Sequence, residues 1–394
     1  MRAWFGQTVL SALLLPALGA CSQPSGAADG ATMKLSQTTA AASMPQTAIA
    51  VIDAPSNLGL RPPRPGVEPG VRRLPEALRA TGLVQRLRAR DAGRVEAPKY
   101  SPDPDHRIGF RNGAALRDYS QALADRLSPW LERGDFVFVL GGDCSVLLGS
   151  GLALKQRGRY GLAFIDAHDD FSFVRDRKRY EGYLTAAGLD LGLATGHGPP
   201  ALADLRGKSP YFQPRDVVHL GLVAEEGDAR DYESETFERS GIHRIDADAI
   251  RRDGAAVAGL AARKRLDAMP TQGYWIHVDS DVLAERIMPA VDSPNPDGLE
   301  FEQLRALLAQ LLASPKAVGL ELTIFDPDLD PDGQLAKRLS DTVARAFEDS
   351  GRWPHRGATN AATARLNGHA ATRVLGGRAA SVCAASPVLR PLWW

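Results

Sequence analysis

The sequence predicts an α/β fold in which helices cover both faces of a mainly parallel sheet. Short, nearly continuous apolar runs recur along the chain, and the segments between them include apolar residues at helical spacing. Strands that are apolar along their whole length are typical of parallel sheets, because both faces of such a sheet are buried. Ligands of these sheets bind beyond the carboxyl ends of the strands.

Six apolar runs are expected to be strands, and four segments between them are expected to be helices. The first strand, 49–52, ends in a Pro/Ser/Asn/Gly cluster that is typical of a turn. The other predicted strands are 136–140, 161–165, 217–220, 274–278 and 318–322, and the predicted helices are 114–133, 146–156, 301–312 and 336–347. The alternation favours one domain, which we place at residues 48–349.

The N-terminal residues have the pattern of a targeting segment. Arg2 supplies a positive charge, residues 8–18 are mostly apolar, and the tetrapeptide LGAC that ends at Cys21 resembles a bacterial lipobox. Residues 1–21 are therefore expected to be a lipoprotein-type signal segment, with an exported protein anchored to a membrane through a lipidated Cys21. Residues 22–47 are expected to be a flexible linker. A start codon placed too far upstream of a cytoplasmic protein is the alternative.

Composition excludes several classes of partner. Forty-seven basic and forty-seven acidic residues give no net charge, so nothing favours nucleic acid, and a small-molecule partner is expected. The three cysteines are too scattered for a disulfide scaffold or a repeated zinc-binding pair. Residues 350–394 are rich in Ala, Arg and Gly and weakly periodic, which predicts a disordered tail. A homo-oligomer is left open.

Three predicted strands end in potential metal ligands. In extended chain, side chains two and four residues apart point the same way, so each motif can direct several ligands at one point. The motifs are GGDCS with Cys144, DAHDD with Asp166, His168 and Asp170, and HVDSD with His277, Asp279 and Asp281.

Carboxylates gathered at one sheet edge would repel each other unless cations were bound. Oxygen-rich ligation with one imidazole suits two Mn²⁺ ions, while the thiol of Cys144 leaves another divalent metal open. Two such ions acidify water and so favour hydrolysis. A lone D-x-D pair is more often solvated or capping, and Cys144 alone would be a buried apolar thiol. His277 is expected to orient a ligand, with direct ligation and simple packing as alternatives.

The three motifs, in this order, resemble those of the ureohydrolases, the family of arginase, agmatinase and formiminoglutamase. The resemblance covers residues 48–349 and includes SNLGL, DAHDD, HVDSDVL, MPAVDSPNPDGL and GLELTIFDP. It implies a three-layer α/β/α sandwich, a dinuclear manganese centre and hydrolysis of a C–N bond in a guanidine or amidine. It also implies site residues: Cys144 and Asp170 on one metal, His168 and Asp281 on the other, Asp166 and Asp279 between them, and Asp170 and His168 as the catalytic candidates beside a nucleophilic hydroxide.

The chain departs from the family pattern at three positions. Cys144 replaces the histidine of GGDHS, Thr185 stands where arginase has a proton-shuttling histidine, and Ile324 stands where arginase has a glutamate, with Glu321 three residues earlier. The first two departures together resemble the N-omega-hydroxy-L-arginine amidinohydrolase branch, which implies a hydroxyarginine-type substrate.

Substrate contacts are expected from Ser172, Thr185 and Glu226. Ser172 and Glu226 lie where the resemblance implies that family members hold the amino-acid end of the substrate. Two alternatives remain: an agmatinase- or formiminoglutamase-type substrate, and a catalytically silent lipoprotein of the same fold that binds metal or an amine.

Overall fold

The computed structural model describes residues 47–171, 184–223 and 237–353. No helix among these residues is both long and apolar enough to cross a membrane. Cys21 and the predicted signal segment lie outside the described residues, as do nearly all of the predicted linker and the chain beyond Trp353. The lipid anchor and the disordered tail therefore stay predictions.

Ten strands are present in the described chain, and eight of them form one parallel sheet. In chain order the strands are β1 (Ile49–Asp53), β2 (Arg90–Arg94), β3 (Pro104–Asp105), β4 (Phe110–Arg111), β5 (Phe136–Leu140), β6 (Gly161–Ile165), β7 (Val217–Leu220), β8 (His243–Ile245), β9 (Tyr274–Asp279) and β10 (Ala317–Thr323). The sheet order is β2-β1-β5-β10-β9-β6-β7-β8, and β3 pairs with β4 in a separate antiparallel ribbon.

Both faces of the sheet are apolar because alternate residues of each inner strand enter different cores. In β5, Phe136, Phe138 and Leu140 belong to one cluster of buried residues, whereas Val137 and Val139 belong to the other. A strand buried on both faces gains nothing from alternating polar residues. This explains the continuous apolar runs in the sequence.

Helices cover both faces and complete the three layers. The helices of the described chain are α1 (Leu74–Ala80), α2 (Leu83–Arg86), α3 (Gly113–Glu132), α4 (Val146–Arg157), α5 (Asp190–Ala194), α6 (Pro200–Ala203), α7 (Ala247–Asp253), α8 (Ala255–Ala268), α9 (Phe301–Leu312) and α10 (Gln334–Asp349). Helices α3 to α6 pack into the core that holds Val137, and the others pack into the core that holds Phe138. The predicted three-layer α/β/α sandwich is confirmed.

The predicted strands and helices are all present, with ends that differ by a few residues. Strand β9 continues to Asp279, and α10 begins at Gln334 rather than at 336. Four strands and six helices of the described chain were not predicted: β2, β3, β4, β8, α1, α2, α5, α6, α7 and α8.

The described chain continues past the predicted end of the domain. The Trp353 ring lies 5.1 Å from the Phe136 ring and 5.4 Å from the Phe347 ring, centroid to centroid. The guanidinium of Arg352 donates a hydrogen bond of 2.6 Å to the carbonyl oxygen of Ser314. Arg352 and Trp353 therefore contact the folded domain, and Trp353 is buried in its core.

Candidate metal centre

The three ligand-bearing motifs meet at one edge of the sheet. Strands β5 and β9 both pair with β10, and β6 pairs with β9. Because all these strands are parallel, their carboxyl ends lie on the same side. Asp166 directly follows β6, Asp279 is the last residue of β9, and Cys144 comes four residues after β5.

Two of the motifs turn in the same way as they leave their strands. Oδ1 of Asp166 accepts the backbone N–H of His168 at 2.7 Å, and Oδ1 of Asp279 accepts the backbone N–H of Asp281 at 2.7 Å. Such Asx turns hold the chain in a fixed bend directly after the carboxylate. The bends keep the two acidic triplets at the sheet edge.

Cys144 lies inside the cluster. Its Sγ is 2.8 Å from Oδ2 of Asp279 and 3.0 Å from Oγ1 of Thr323, the last residue of β10. Burial, followed by the negative charges of Asp279 and Asp190, raises the pKa of the thiol well above its ordinary value. A thiolate at this position therefore needs a cation beside it.

His168 faces the same carboxylates from the other side. Its Nδ1 lies 3.1 Å from Oδ2 of Asp281 and 3.6 Å from Oδ1 of Asp166. Burial lowers the pKa of this imidazole, but the two carboxylates outweigh burial and raise the pKa well above its ordinary value. Buried His219, on β7, has Nε2 at 2.7 Å from the carbonyl oxygen of His168, so it donates to that oxygen and positions the His168 loop.

Asp170 is paired with an acidic residue that the sequence did not single out. Asp170 is buried and has a left-handed backbone with φ of 45°. Asp190 is the first residue of α5, and the backbone N–H of Gly192, in the same helix, donates a hydrogen bond of 3.0 Å to the carbonyl oxygen of Asp170. Burial, followed by the charges of nearby carboxylates, raises the pKa of both acids well above the ordinary value.

His277 anchors a fully buried polar network behind the cluster. Its Nδ1 lies 2.7 Å from Oε1 of Glu321, and Oε2 of Glu321 accepts a hydrogen bond of 2.6 Å from the hydroxyl of Ser150. The imidazole is stacked on Phe164 at 4.7 Å. His277 is thus oriented from two sides, with Nε2 directed towards Asp190 at 3.8 Å from Oδ2.

The ligand atoms of the cluster fit divalent cations. Two groups of ligand atoms each lie within 4.8 Å of one another: Asp166, His168 and Asp281 in one, and Cys144, Asp190 and His277 in the other. Among the described residues, four buried atoms here have no hydrogen-bond partner: Oδ2 of Asp166, Oδ2 of Asp190, Nε2 of His277 and Oδ1 of Asp281. Each unpaired buried polar atom costs about 1–3 kcal/mol. Bound cations would satisfy these atoms.

The structure brings Cys144, Asp166, His168, Asp170, Asp279 and Asp281 to one place. Thr185 is buried in the segment that leads into α5, whereas Ser172 and Glu226 lie outside the described residues. Asp190 begins a helix, whereas the motifs that predict ligands stand at strand ends. Its only signal in the sequence is an isolated acid within the apolar stretch AAGLDLGLA.

Ile324, which the resemblance compares with arginase's glutamate, directly follows β10. Ile324 is buried with φ of 70°, a strained backbone for a β-branched residue. Its N–H donates to the carbonyl oxygen of Gly142 at 2.7 Å. Glu321 instead contacts His277 and Ser150.

The fold and the ligand set define a three-layer α/β/α protein with a candidate site for divalent cations at the carboxyl edge of its sheet. Comparison with known proteins narrows this class. The Arginase family model matches residues 47–347, and the chain belongs to this family of hydrolases that act on C–N bonds.

The chain matches individual relatives over nearly their whole length. The chain is 26% identical to an arginase of Staphylococcus aureus (strain COL) over 315 residues, which are 77% of this chain and 98% of that protein. It is 28% identical to the arginase of Bacillus caldovelox over 300 residues, covering 73% and 94% of the two chains. The solved Bacillus caldovelox arginase superimposes with a TM-score of 0.67 at 24% identity, covering 76% of this chain and 98% of that one.

Proposed function

We propose that this protein is a dinuclear metallohydrolase that cleaves a C–N bond of a guanidine or amidine, with an N-hydroxyguanidine of the hydroxyarginine type as its preferred substrate. The observation that carries the proposal is the convergence of three strand-end motifs, where buried carboxylates surround ligand atoms that lack partners. The products are a urea-type compound and an amine.

Asp279 supports a site for two metals because its two oxygens face different halves of the cluster. Oδ2 contacts the thiol of Cys144, and Oδ1 contacts the backbone of Asp281. Asp279 and Asp166 would contribute ligands to both metals. Cys144 and Asp170 would complete one metal, and His168 and Asp281 the other. The carboxylates favour Mn²⁺, at least in the half that holds His168.

The chain's own residues supply the rest of the chemistry. Two divalent cations bound there would supply the Lewis acidity that yields hydroxide near neutral pH. The water oxygen adds to the substrate carbon, the C–N bond breaks, and the amine leaves with a proton. Asp170 is the group that can transfer this proton, because its carboxyl is buried in the cluster and burial, followed by nearby carboxylates, raises its pKa well above the ordinary value.

Two departures from arginase favour a substrate less basic than a guanidine. Thr185 and Ile324 replace a histidine and a glutamate that the resemblance assigns to proton transfer and to guanidinium binding. An N-hydroxyguanidine is less basic than a guanidine, so its binding depends less on a carboxylate that pairs with a guanidinium charge. Ser172, Thr185 and Glu226 remain the proposed substrate contacts, with Ser172 and Glu226 at the amino-acid end.

The first prediction concerns the substrate. Full-length protein loaded with Mn²⁺, and separately with Mn²⁺ and Zn²⁺, is incubated with hydroxyarginine, arginine, agmatine and formiminoglutamate, and the released amine is quantified. Hydroxyarginine is expected to give the highest kcat/KM.

The Cys144→His variant should bind Mn²⁺ more tightly than wild type, because imidazole is a better ligand for Mn²⁺ than a soft thiol. Ser145→Ala, beside the ligand, is the matched control.

Absence of ornithine release from hydroxyarginine would contradict the proposed substrate. The same two departures favour a second candidate, a catalytically silent protein that binds metal or an amine. That candidate would be supported if the protein holds two metals per chain but releases amine from none of the four compounds.

A further inference from the structure

A second set of ligands surrounds Cys144, and it includes Asp190, which lies outside the three motifs, and His277, to which the resemblance assigns no metal. We propose that Cys144, Asp190 and His277 form a metal subsite that selects Zn²⁺ or Co²⁺ over Mn²⁺, which makes the centre a mixed one. This proposal rests on the proposed metal-dependent function, but measurements of metal binding test the subsite without any measurement of hydrolysis.

The first argument is the state of the His277 imidazole. Glu321 lies 2.7 Å from Nδ1, and a carboxylate accepts hydrogen bonds, so Nδ1 carries the proton. Nε2 then has a free lone pair, is fully buried and has no hydrogen-bond partner among the described residues. A histidine held by a carboxylate on one nitrogen, with the other nitrogen free, is the usual form of a metal-binding histidine.

The second argument is the position of Asp190. Its Oδ1 accepts the backbone N–H of Leu191 at 2.8 Å, which fixes the carboxylate at the start of α5. Its Oδ2 has no hydrogen-bond partner among the described residues and lies 3.8 Å from Nε2 of His277. Two acceptor atoms this close, both buried and both unsatisfied, repel each other unless a cation or a proton lies between them.

The third argument is the chemistry of the three ligands. A thiolate, an imidazole and one carboxylate, with ligand atoms within 4.8 Å of one another, match the N/S/O ligation that Zn²⁺ prefers, with a position left open. The neighbouring group of Asp166, His168 and Asp281 offers two carboxylates and no sulfur. The two halves therefore differ in softness, and each should favour a different ion.

The second prediction uses Co²⁺ as the probe. Full-length protein is freed of metal with a chelator and titrated with Co²⁺ up to one equivalent. Wild type is expected to show thiolate-to-cobalt charge-transfer absorption, which Cys144→Ser abolishes. His277→Gln and Asp190→Asn should keep the absorption but weaken Co²⁺ binding by about tenfold or more. X-ray absorption at the cobalt edge should show imidazole in wild type and lose it in His277→Gln.

Three controls separate ligation from folding. His243→Gln changes a histidine on the edge strand β8 and should leave Co²⁺ affinity unchanged. The thermal unfolding midpoints of the metal-free variants report any structural damage. If His277→Gln fails to fold, Asp190→Asn still tests the subsite, because asparagine is nearly the same size as aspartate.

The results separate this subsite from the proposed function. Unchanged Co²⁺ affinity and an unchanged imidazole signal in His277→Gln would overturn the subsite, even if the enzyme hydrolyses hydroxyarginine. Cobalt bound without thiolate absorption in wild type would also overturn it. The expected spectra in a protein that hydrolyses none of the substrates would support the subsite and reject the hydrolase proposal.

Discussion

Two serines near the metal centre differ in one respect that decides what their hydroxyls contribute. Ser150, on α4, donates a hydrogen bond of 2.6 Å to buried Glu321, whereas the hydroxyl of buried Ser145 has no partner among the described residues. Deleting a donor leaves its buried acceptor without a hydrogen bond, which costs stability. Deleting an unpaired hydroxyl breaks no hydrogen bond.

The third prediction compares these serines. Ser150→Ala is expected to lower the free energy of unfolding by about 1–3 kcal/mol, while Ser145→Ala should change it by less than about 0.5 kcal/mol. Urea unfolding of both metal-free variants measures the difference. Equal losses would show that the Ser150–Glu321 hydrogen bond does not stabilise the core.

At the residue scale, the sequence predicts side chains that follow a strand and misses those that depend on packing between layers. Asp166 and Asp279 could be placed because parallel strands bring their carboxyl ends together. Asp190 could not, since only the packing of α5 against the sheet brings it to Asp170. The pairing of His277 with Glu321 depends on the register between β9 and β10, in which these residues are direct neighbours.

At the scale of elements, the first turn of helix α3 is held by the carboxylate of Asp105, eight residues before the helix begins. Asp105 accepts backbone N–H groups from Arg107 at 3.0 Å, from Ile108 at 3.3 Å and from Ala114, in the first turn of α3, at 3.0 Å. Partial burial works to raise the pKa of Asp105, but these donors outweigh burial and lower it. The ionised carboxylate thus stabilises both the preceding turn and the helix start.

The fourth prediction follows from the lowered pKa. Asp105→Ala should lower the free energy of unfolding by about 1–2 kcal/mol near neutral pH. Because the folded-state pKa is below the unfolded one, this stabilisation is complete above about pH 4 and is lost as pH falls further, through the folded-state pKa. Urea unfolding of wild type and variant as a function of pH measures it. A loss independent of pH would contradict an ionic origin.

Element prediction depends on how deeply each element is buried. Strand β5 is buried at every residue, so its apolar run is unmistakable, whereas β2 has the sequence RDAGR and lies at the edge with two exposed residues. Strand β8 is only three residues long. Edge strands keep polar side chains and short lengths, which remove the signal that the prediction uses.

At the scale of the whole domain, the end of the described chain closes one core. Trp353 is 7% exposed and contacts the rings of Phe136, on β5, and Phe347, on α10. The Trp353 ring thus packs between strand β5, which precedes the GGDCS motif, and α10, the last helix of the described chain. The folded domain therefore depends on residues that follow the last helix.

The fifth prediction tests this closure. Trp353→Ala is expected to lower the free energy of unfolding by about 3 kcal/mol, as for other large aromatic side chains deleted from a core. Val257→Ala, at a position that is 59% exposed, is the control and should change it by less than about 0.5 kcal/mol. Thermal and urea unfolding measure both. Similar stabilities for the two variants would place Trp353 outside the cooperative unit.

Strand β10 lies between β5, which Cys144 follows, and β9, which ends at Asp279. It therefore sets the distance between the two strand ends from which these ligands come. Two strand spacings amount to about 9–10 Å, and the chain after β5 must bend across β10 for the thiol to reach Asp279. Gly141 makes this crossing possible, because a Cβ there would lie 2.8 Å from the carbonyl oxygen of Leu322. The spacing of the metal ligands is therefore encoded partly in a strand that supplies none of the proposed ligands, and in a glycine whose lack of a side chain lets the backbones touch.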